Sequence, residues 1–257
     1  MLLVVDVGNT NITVGLYRGE ELVTHWRVAT VHERMPDEYA LQLLGLLEHA
    51  GYRTEDVAGI AIASVVPPLT GVFVSLSRDY FHQEALVVDA GVKTGVRVRY
   101  DNPREVGADR VVDAAAVHKY YGGPACIVDF GTGTTFDAIS AEGDYLGGAI
   151  APGIGIAAEA LFMRAAKLPR IDLVRPPNVI GTNTVHSMQS GLLFGYVCLV
   201  EGMVARFRAE LGRDMKVIGT GGLVELIAQE TRVIEIIDPW LTLKGLRLIY
   251  ELNRPQG

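Results

Sequence analysis

Two stretches of the sequence each combine an aspartate with glycines and small polar residues directly after an apolar run. One is DVGNT at residues 6–10, and the other is DFGTGTT at residues 129–135. Asp6 and Asp129 lie 123 positions apart (129 minus 6). An aspartate can hold a cation or its water, and small side chains let backbone N–H groups surround an anion. We therefore interpret the two stretches as halves of a site for phosphates and a metal.

A single copy of this pattern has a simpler explanation. Asp-x-Gly is common in hairpin turns, where the glycine accepts a positive φ and the aspartate caps its own turn. The second copy favours the functional interpretation, because two duplicated domains facing each other across a cleft would present both loops to one ligand.

Each stretch belongs to a longer repeated pattern. Residues 2–29 and residues 126–151 each predict three short strands joined by tight turns, which form an antiparallel meander. A repeat of domain length is too long for a solenoid and indicates duplication of a domain. We expect two domains, at residues 1–120 and 121–257.

Helix and strand patterns alternate after each meander. Helices are predicted near residues 37–49, up to about 82, and near 156–167, 184–211, 223–229 and 240–252, with strands at 59–64, 85–89 and 216–219. This alternation predicts the α/β fold class.

The net charge and the hydropathy of the sequence argue against nucleic acids and membranes as binding partners. The formal net charge is -7, and no cluster of Lys or Arg is longer than a pair, whereas a nucleic-acid binder needs a basic face. The N-terminus lacks the basic region of a secretory signal, and the longest apolar stretch, residues 192–200, is too short to span a membrane. We expect a cytoplasmic protein that binds neither nucleic acid nor a membrane.

The cysteines indicate neither a disulfide framework nor a zinc site. Cys126 and Cys198 are isolated, and no C-x-x-C pair occurs. Such spacing is typical of free thiols, and we expect both to be buried.

Two common nucleotide motifs are absent or weak. No G-x-x-x-x-G-K-[ST] is present, which excludes a P-loop kinase. Residues 153–158 match the dinucleotide pattern G-x-G-x-x-A, with Asp172 near the position of a ribose-binding acid. The preceding strand closes a meander instead of opening a βαβ unit, so we predict a tight strand-to-helix turn there, leaving open that it borders the substrate.

A second acidic motif, GADR at residues 107–110, begins a predicted helix. Asp109 is suited to accept or align the proton of a substrate hydroxyl, or simply to stabilise the helix N-terminus. Arg110 offers a fork of donors for a carboxylate. An ion pair with Glu105 or Asp113 is the alternative for Arg110.

Two further positions have both a structural and a functional interpretation. Tyr100 precedes the turn Asp101-Asn-Pro103 and either packs or contacts the substrate. Thr184 opens the long apolar helix, where it serves as the N-cap, contacts the substrate, or both. That helix contains Gly191-x-x-x-Gly195, which predicts core packing or a subunit interface.

Taken together, these residues resemble the type III pantothenate kinase family of the acetate/sugar kinase, Hsp70 and actin superfamily. The resemblance runs over nearly the whole chain, and Gly133 departs from the Ala or other small residue expected there. It implies two duplicated ribonuclease H-like (actin-like ATPase) domains with a nucleotide cleft between them. The motifs that carry it are DVGNT, YDNP at 100–103, GADR, DFGTGTT and GTGG at 219–222.

The resemblance also implies an activity, namely ATP-dependent phosphorylation of pantothenate to 4'-phosphopantothenate by a homodimer, the first step of coenzyme A biosynthesis. Asp109 would be the catalytic base, Asp6 would hold Mg²⁺ through water, and Asp129 would bind a monovalent cation, K⁺ or NH₄⁺. The residues expected to bind ATP are Asp6, Val7, Gly8, Asn9, Thr10, Asn11, Ile12, Thr13 and Thr132. Those expected to bind pantothenate are Tyr100, Gly107, Ala108, Asp109, Arg110 and Thr184.

A nucleotide-gated regulatory or scaffold protein on the same fold is the alternative. Its phosphate and adenosine motifs would be identical to those of a kinase. GADR and YDNP favour the kinase, because only a kinase needs an acid and substrate anchors beside the phosphates.

Overall fold

The computed structural model describes residues 1–254 and divides into two compact units. Unit 1 contains Met1–Ala116 and the described residues from Leu241 onward, and unit 2 contains Val117–Trp240. Each unit is built around its own five-stranded sheet.

The sheet of unit 1 has a mixed topology. Its strands are β1 (Leu2–Val7), β2 (Asn11–Arg18), β3 (Glu21–Ala29), β4 (Gly59–Ser64) and β5 (Leu86–Val87). Their order across the sheet is β3-β2-β1-β4-β5, with β1 antiparallel to β2 and parallel to β4. Leu3, Val4 and Val5 are all buried, because the central strand is covered on both faces and need not alternate.

The helices of unit 1 follow local start signals. They are α1 (Pro36–His49), α2 (Pro67–Phe81) and α3 (Ala108–Tyr120), the last of which crosses into unit 2. Both α1 and α2 begin with a proline, whose fixed φ suits the first helical turn. Acidic residues in the first turns of α1 and α3 complement the helix dipole.

Unit 2 repeats the topology of unit 1. Its strands are β6 (Ala125–Phe130), β7 (Gly133–Ile139), β8 (Tyr145–Pro152), β9 (Lys216–Thr220) and β10 (Ile236–Ile237), in the order β8-β7-β6-β9-β10. The central strand β6 is antiparallel to β7 and parallel to β9. The predicted α/β class and the duplication of a meander-opening domain are both confirmed.

The remaining helices are α4 (Ile154–Arg164), α5 (Thr184–Leu211), α6 (Val224–Ala228) and α7 (Leu241–Asn253). Within residues 1–254, α5 alone has the length and apolar composition of a membrane span. Its apolar part is therefore longer than the stretch 192–200 on which the sequence-based expectation rested. One side of α5, including Leu193, Val197 and Val200, packs in the core of unit 2. A core helix of a soluble protein passes the same test of length and composition.

The chain divides differently from the predicted boundary at residues 120 and 121. Helix α7, expected in the second domain, packs against β1, β2 and β4 of unit 1. Leu243, Leu246 and Ile249 are buried there, and Gly245 allows close approach to the Val112 carbonyl. An apolar helix face does not specify in sequence which of two similar sheets it covers, so the pattern alone misplaced α7.

The two cysteines lie in different environments, one buried and one exposed. Both are free, with Cys126 buried in β6 and Cys198 exposed on α5, so the expectation that both are buried is wrong for Cys198. Burial, followed by the charge of Asp137, raises the pKa of the Cys126 thiol to about 12. Cys126 is therefore a neutral packing group, not a nucleophile.

Replacement of a buried α7 residue tests whether this helix completes the core of unit 1. Leu246 is fully buried, whereas Leu252 on the same helix is 45% exposed. Because Leu246→Ala leaves a cavity, it should lower the free energy of unfolding by about 2–5 kcal/mol, measured by urea denaturation. Leu252→Ala is the control, and equal small effects of both variants would contradict this placement of α7.

Candidate functional site

The loop DVGNT, the first of the two predicted phosphate loops, lies at the end of β1. Asp6, which is partly buried, pairs with Thr13 on β2 and with Ala63 on β4. The turn closes where the Gly8 N–H donates to the Asn11 carbonyl at 3.1 Å. Both ladders fix the position of the acid at the carboxyl end of the central strand.

This loop is narrow and needs its glycine. A Cβ at Gly8 would lie 3.0 Å from the Asn11 carbonyl oxygen. Outside the turn, the Thr30 hydroxyl donates to the Gly8 carbonyl at 2.6 Å, and the Thr30 N–H donates to the Thr10 carbonyl at 3.0 Å. The loop is therefore held in place while the side chains of residues 9–11 remain exposed.

The structure brings the start of GADR beside the end of β4 in the same unit. Val65, directly after β4, donates its N–H to the Val7 carbonyl at 3.1 Å. A Cβ at Gly107 would lie 3.3 Å from the Val65 side chain and 2.5 Å from Asp109 Oδ1. Gly107 thus leaves room for the Asp109 carboxylate, and Ala108 is the first residue of α3.

Asp109 lies in the first turn of α3, as predicted, and is partly buried. Its Oδ1 accepts a hydrogen bond from the Arg110 N–H at 2.8 Å. The helix dipole stabilises a negative charge at this position, so the stabilising and the chemical interpretations of Asp109 are compatible.

The YDNP turn is built by Asn102. Its side chain accepts from the Arg104 N–H at 3.3 Å and donates to Glu105 Oε1 at 2.8 Å. Tyr100 is partly buried just before this turn.

The second phosphate loop lies in unit 2 and contacts the GTGG motif. Asp129 pairs with Thr135 on β7 and with Thr220 on β9. Gly221 has a φ of +90°, and a Cβ there would lie 2.3 Å from Asp129 Oδ1. Any larger residue would collide with the carboxylate, so the two motifs depend on each other.

The turn before α4 also packs on this loop. The Gly153 N–H donates to the Thr132 carbonyl at 3.1 Å, and a Cβ at Gly153 would lie 2.2 Å from that oxygen. The G-x-G-x-x-A match is therefore a strand-to-helix turn, since β8 before it is antiparallel to β7. At Gly133 a Cβ would meet the Ala151 carbonyl at 3.4 Å, so alanine would fit as well.

Thr184 has a different role from the predicted N-cap. Asn183 caps α5, its side chain accepting from the His186 N–H at 2.9 Å, and Thr184 is the first helical residue. Thr184 lines an open pocket of about 770 Å³ between α4, α5 and the segment before α5. Leu161, Met188 and Leu192 form part of the apolar wall.

The carboxylate at the end of each central strand suits binding of a hard cation. Within residues 1–254 no three His, Cys, Asp or Glu side chains cluster to hold a metal, so a cation here would need oxygens from water or phosphate in addition to Asp6 or Asp129. Mg²⁺ typically binds one or two carboxylates together with water and phosphates. The donor set and the glycine-lined loops fit such a group.

Sequence reasoning missed Thr30, which anchors the first loop from the end of β3. It also missed the hydrogen bond from the Tyr121 hydroxyl to Asp238 Oδ2, 2.6 Å long, which joins residues 117 positions apart. Neither residue lies in a motif, so only the fold could reveal these contacts.

Comparison with solved structures defines the class of the fold. The chain resembles the ethanolamine utilization protein EutJ from Carboxydothermus hydrogenoformans, with a TM-score of 0.59, 14% identity, and coverage of 96% of this chain and 89% of that one. It also resembles the inorganic polyphosphate/ATP-glucomannokinase from Arthrobacter sp. strain KM, with a TM-score of 0.51, 13% identity, and coverage of 98% and 99%. The fold is that of the actin-like ATPases and kinases.

Sequence comparison identifies the family within that class. The profile of type III pantothenate kinase matches residues 2–206. A type III pantothenate kinase from Roseiflexus sp. (strain RS-1) is 55% identical over 254 residues, which cover 99% of this chain and 100% of the relative. The chain belongs to the type III pantothenate kinase family.

Substitution at Gly221 tests the mutual dependence of GTGG and the second phosphate loop. Gly221→Ala adds a Cβ that collides with Asp129 and also strains a positive φ. We expect the dissociation constant for ATP, measured by calorimetry, to rise about tenfold or more, because the collision and the backbone strain together cost about 1.4 kcal/mol or more, which corresponds to a factor of ten.

The matched control is Gly212→Ala. Gly212 also has a positive φ, +101°, but a Cβ there meets nothing within 4 Å. The Gly212→Ala variant should be less stable than the wild-type chain but should bind ATP with the same affinity. Equal affinities of the two variants for ATP would contradict the role of the Gly221 contact.

Proposed function

We propose that the chain transfers the γ-phosphoryl group of ATP to the primary hydroxyl of pantothenate, using the two repeated strand ends to hold the phosphates. Family membership makes the chain a kinase that phosphorylates pantothenate in coenzyme A biosynthesis. The assignment of residues rests on one observation, the equivalence of the strand ends. Asp6 pairs with Thr13, and Asp129 pairs with Thr135, at the same place in two sheets of one topology.

The first loop supplies hydrogen-bond donors for phosphate oxygens. Residues 9–11 are exposed at the turn, whereas the side chains of Val7 and Ile12 are buried and leave only their backbone to contribute. Thr132 adds a hydroxyl from the second loop. We assign to ATP the set Asp6, Val7, Gly8, Asn9, Thr10, Asn11, Ile12, Thr13 and Thr132.

We assign a different cation to each of the two aspartates. Asp6 would hold Mg²⁺ through water, and Asp129 would hold a monovalent cation, K⁺ or NH₄⁺. Such cations, when bound, neutralise charge on the phosphates. The contact of Gly221 with Asp129 supports this role, because it keeps the second acid beside the GTGG motif that we assign to the adenosine moiety.

Asp109 orients the acceptor hydroxyl and receives its proton. The hydrogen bond from the Arg110 N–H restrains the carboxylate, and the missing side chain at Gly107 leaves space beside it. Phosphoryl transfer has a loose transition state in which positioning contributes most of the rate enhancement, so a weak base suffices.

The remaining substrate contacts follow the chemistry of pantothenate, which carries a carboxylate. Arg110 offers a planar fork of donors to that carboxylate. Tyr100, Gly107, Ala108 and Thr184 complete the set that we assign to pantothenate. Thr184 lies at the rim of a pocket with an apolar wall, which suits the aliphatic part of this substrate.

Replacement of Asp109 tests the proposed chemistry. Asp109→Asn keeps the size of the side chain but removes the base, so kcat for pantothenate-dependent release of ADP should fall about 10²-fold or more. Asp37→Asn is the control, since Asp37 is likewise an acid in the first turn of a helix of unit 1. If Asp109→Asn retained near-normal kcat, Asp109 would only stabilise the helix.

We also propose that two chains associate through the exposed side of α5, in the cytoplasm. Gly191 and Gly195 are exposed, and a Cβ at either would meet nothing within 4 Å. Val185 and Leu199, also on α5, are exposed apolar residues. Within residues 1–254 no side chain or backbone packs at these two positions, and a second copy can supply that packing.

A large charged residue on this surface should disrupt the dimer. Gly195→Arg places a guanidinium in the proposed interface, and light scattering should report a monomer at concentrations where the wild-type chain is a dimer. Gly45→Arg is the control, because Gly45 is an exposed helical glycine on α1 that also faces open space. A dimer of unchanged stability in Gly195→Arg would exclude this surface.

A further inference from the structure

The chain passes between the two units twice. The first crossing lies between Ala116 and Val117, inside α3, and the second lies between Trp240 and Leu241, just before α7. The second crossing lies in a loop, whose residues can absorb backbone rotation when units of one chain move, whereas the first lies inside one continuous helix.

One hydrogen bond within unit 2 links the end of α3 to the segment before the second crossing. Tyr121 is the first residue after α3, and its hydroxyl donates to Asp238 Oδ2 at 2.6 Å. Asp238 is only 3% exposed, and its Oδ1 accepts from the Trp240 N–H at 3.2 Å. The same carboxylate therefore accepts hydrogen bonds from a residue at the second crossing and from the residue that follows α3, the helix containing the first crossing.

The phenol of Tyr121 is a persistent donor. Its burial, together with the hydrogen bond to Asp238, raises its pKa above the ordinary value. The hydroxyl therefore keeps its proton at neutral pH, and the bond is present throughout the physiological range.

Asp238 is also attached to the nucleotide motif. Its N–H donates to the carbonyl of Gly219, the first residue of GTGG, at 2.9 Å. Lys216, at the start of the same strand, donates from Nζ to the Tyr121 carbonyl. Strand β9 is thus hydrogen-bonded to both Tyr121 and Asp238. It ends in the loop whose Gly221 lies against Asp129.

The other end of α3 carries Asp109, the proposed catalytic base. Asp109 lies in its first turn and Tyr121 follows its last residue. A helix is stiff over such a length, about 18 Å at 1.5 Å per residue. A shift at Tyr121 is therefore transmitted along α3 to Asp109.

We propose that Tyr121 and Asp238 form a hinge clamp, a pair of positioning residues that links the GTGG loop to both interunit crossings and sets the position of Asp109. This inference rests on the proposed kinase function. The clamp makes the two crossings move together, so that binding of a nucleotide at GTGG is coupled to the placement of α3.

Removal of one hydroxyl tests the clamp. Tyr121→Phe should bind ATP with nearly wild-type affinity but lower kcat about tenfold, the effect expected from loss of one positioning hydrogen bond. Its KM for pantothenate should rise as well, because hinge variants change both parameters.

Tyr145→Phe is the matched control. The Tyr145 hydroxyl donates to Asp137 Oδ1 at 2.9 Å, a second Tyr–Asp bond of unit 2 that lies away from the crossings. This variant should lose stability toward urea as Tyr121→Phe does, with kcat unchanged. Equal kcat values for both variants would show that the Tyr121 bond is merely structural and would overturn the proposal.

Hydrogen exchange supplies a readout besides activity. In the wild-type chain a non-hydrolysable ATP analogue should slow amide exchange at residues 238–246, and Tyr121→Phe should lose this response while still binding the analogue. Exchange that slows equally in both would contradict the coupling. If instead the wild-type chain lacked pantothenate-dependent turnover, the proposed function would fail, and the exchange result would still decide the clamp.

Discussion

In each unit, the pairing of the central strand is the constraint on which the position of its candidate aspartate depends. Strand β1 is paired on both sides by β2 and β4, and β6 is paired by β7 and β9. A strand paired on both sides cannot slip by one residue without breaking the hydrogen bonds of both ladders. The aspartate near the carboxyl end of each strand is thereby fixed in position before any ligand binds.

Around these fixed ends, backbones approach more closely than a Cβ would allow. Gly221 packs against Asp129, Gly153 packs against the Thr132 carbonyl, and Gly107 leaves space for the Asp109 carboxylate. Each contact ties a loop to an element distant in sequence or to an acid of the site. These glycines therefore determine where the neighbouring carboxylates and carbonyls lie.

Local patterns predicted much of the fold, and long-range contacts account for the rest. The repeated meanders and the helix that begins at Ala108 could be predicted because each is encoded by neighbouring residues. The placement of α7, the Asn183 cap and the bond between Tyr121 and Asp238 could not. Helix α7 can cover either of two similar sheets, Asn183 and Thr184 are both competent caps, and Tyr121 meets its partner only after unit 2 has folded.

We propose that the two strand ends and GADR bind one set of substrates. A crystal structure of the chain with pantothenate, Mg²⁺ and a non-hydrolysable ATP analogue tests this proposal, with Tl⁺ replacing K⁺ and located by its anomalous scattering. We expect phosphates against residues 6–13 and Thr132, Tl⁺ at Asp129, and the pantothenate hydroxyl within hydrogen-bond distance of Asp109. Phosphates bound away from both loops, or a hydroxyl out of reach of Asp109, would contradict it.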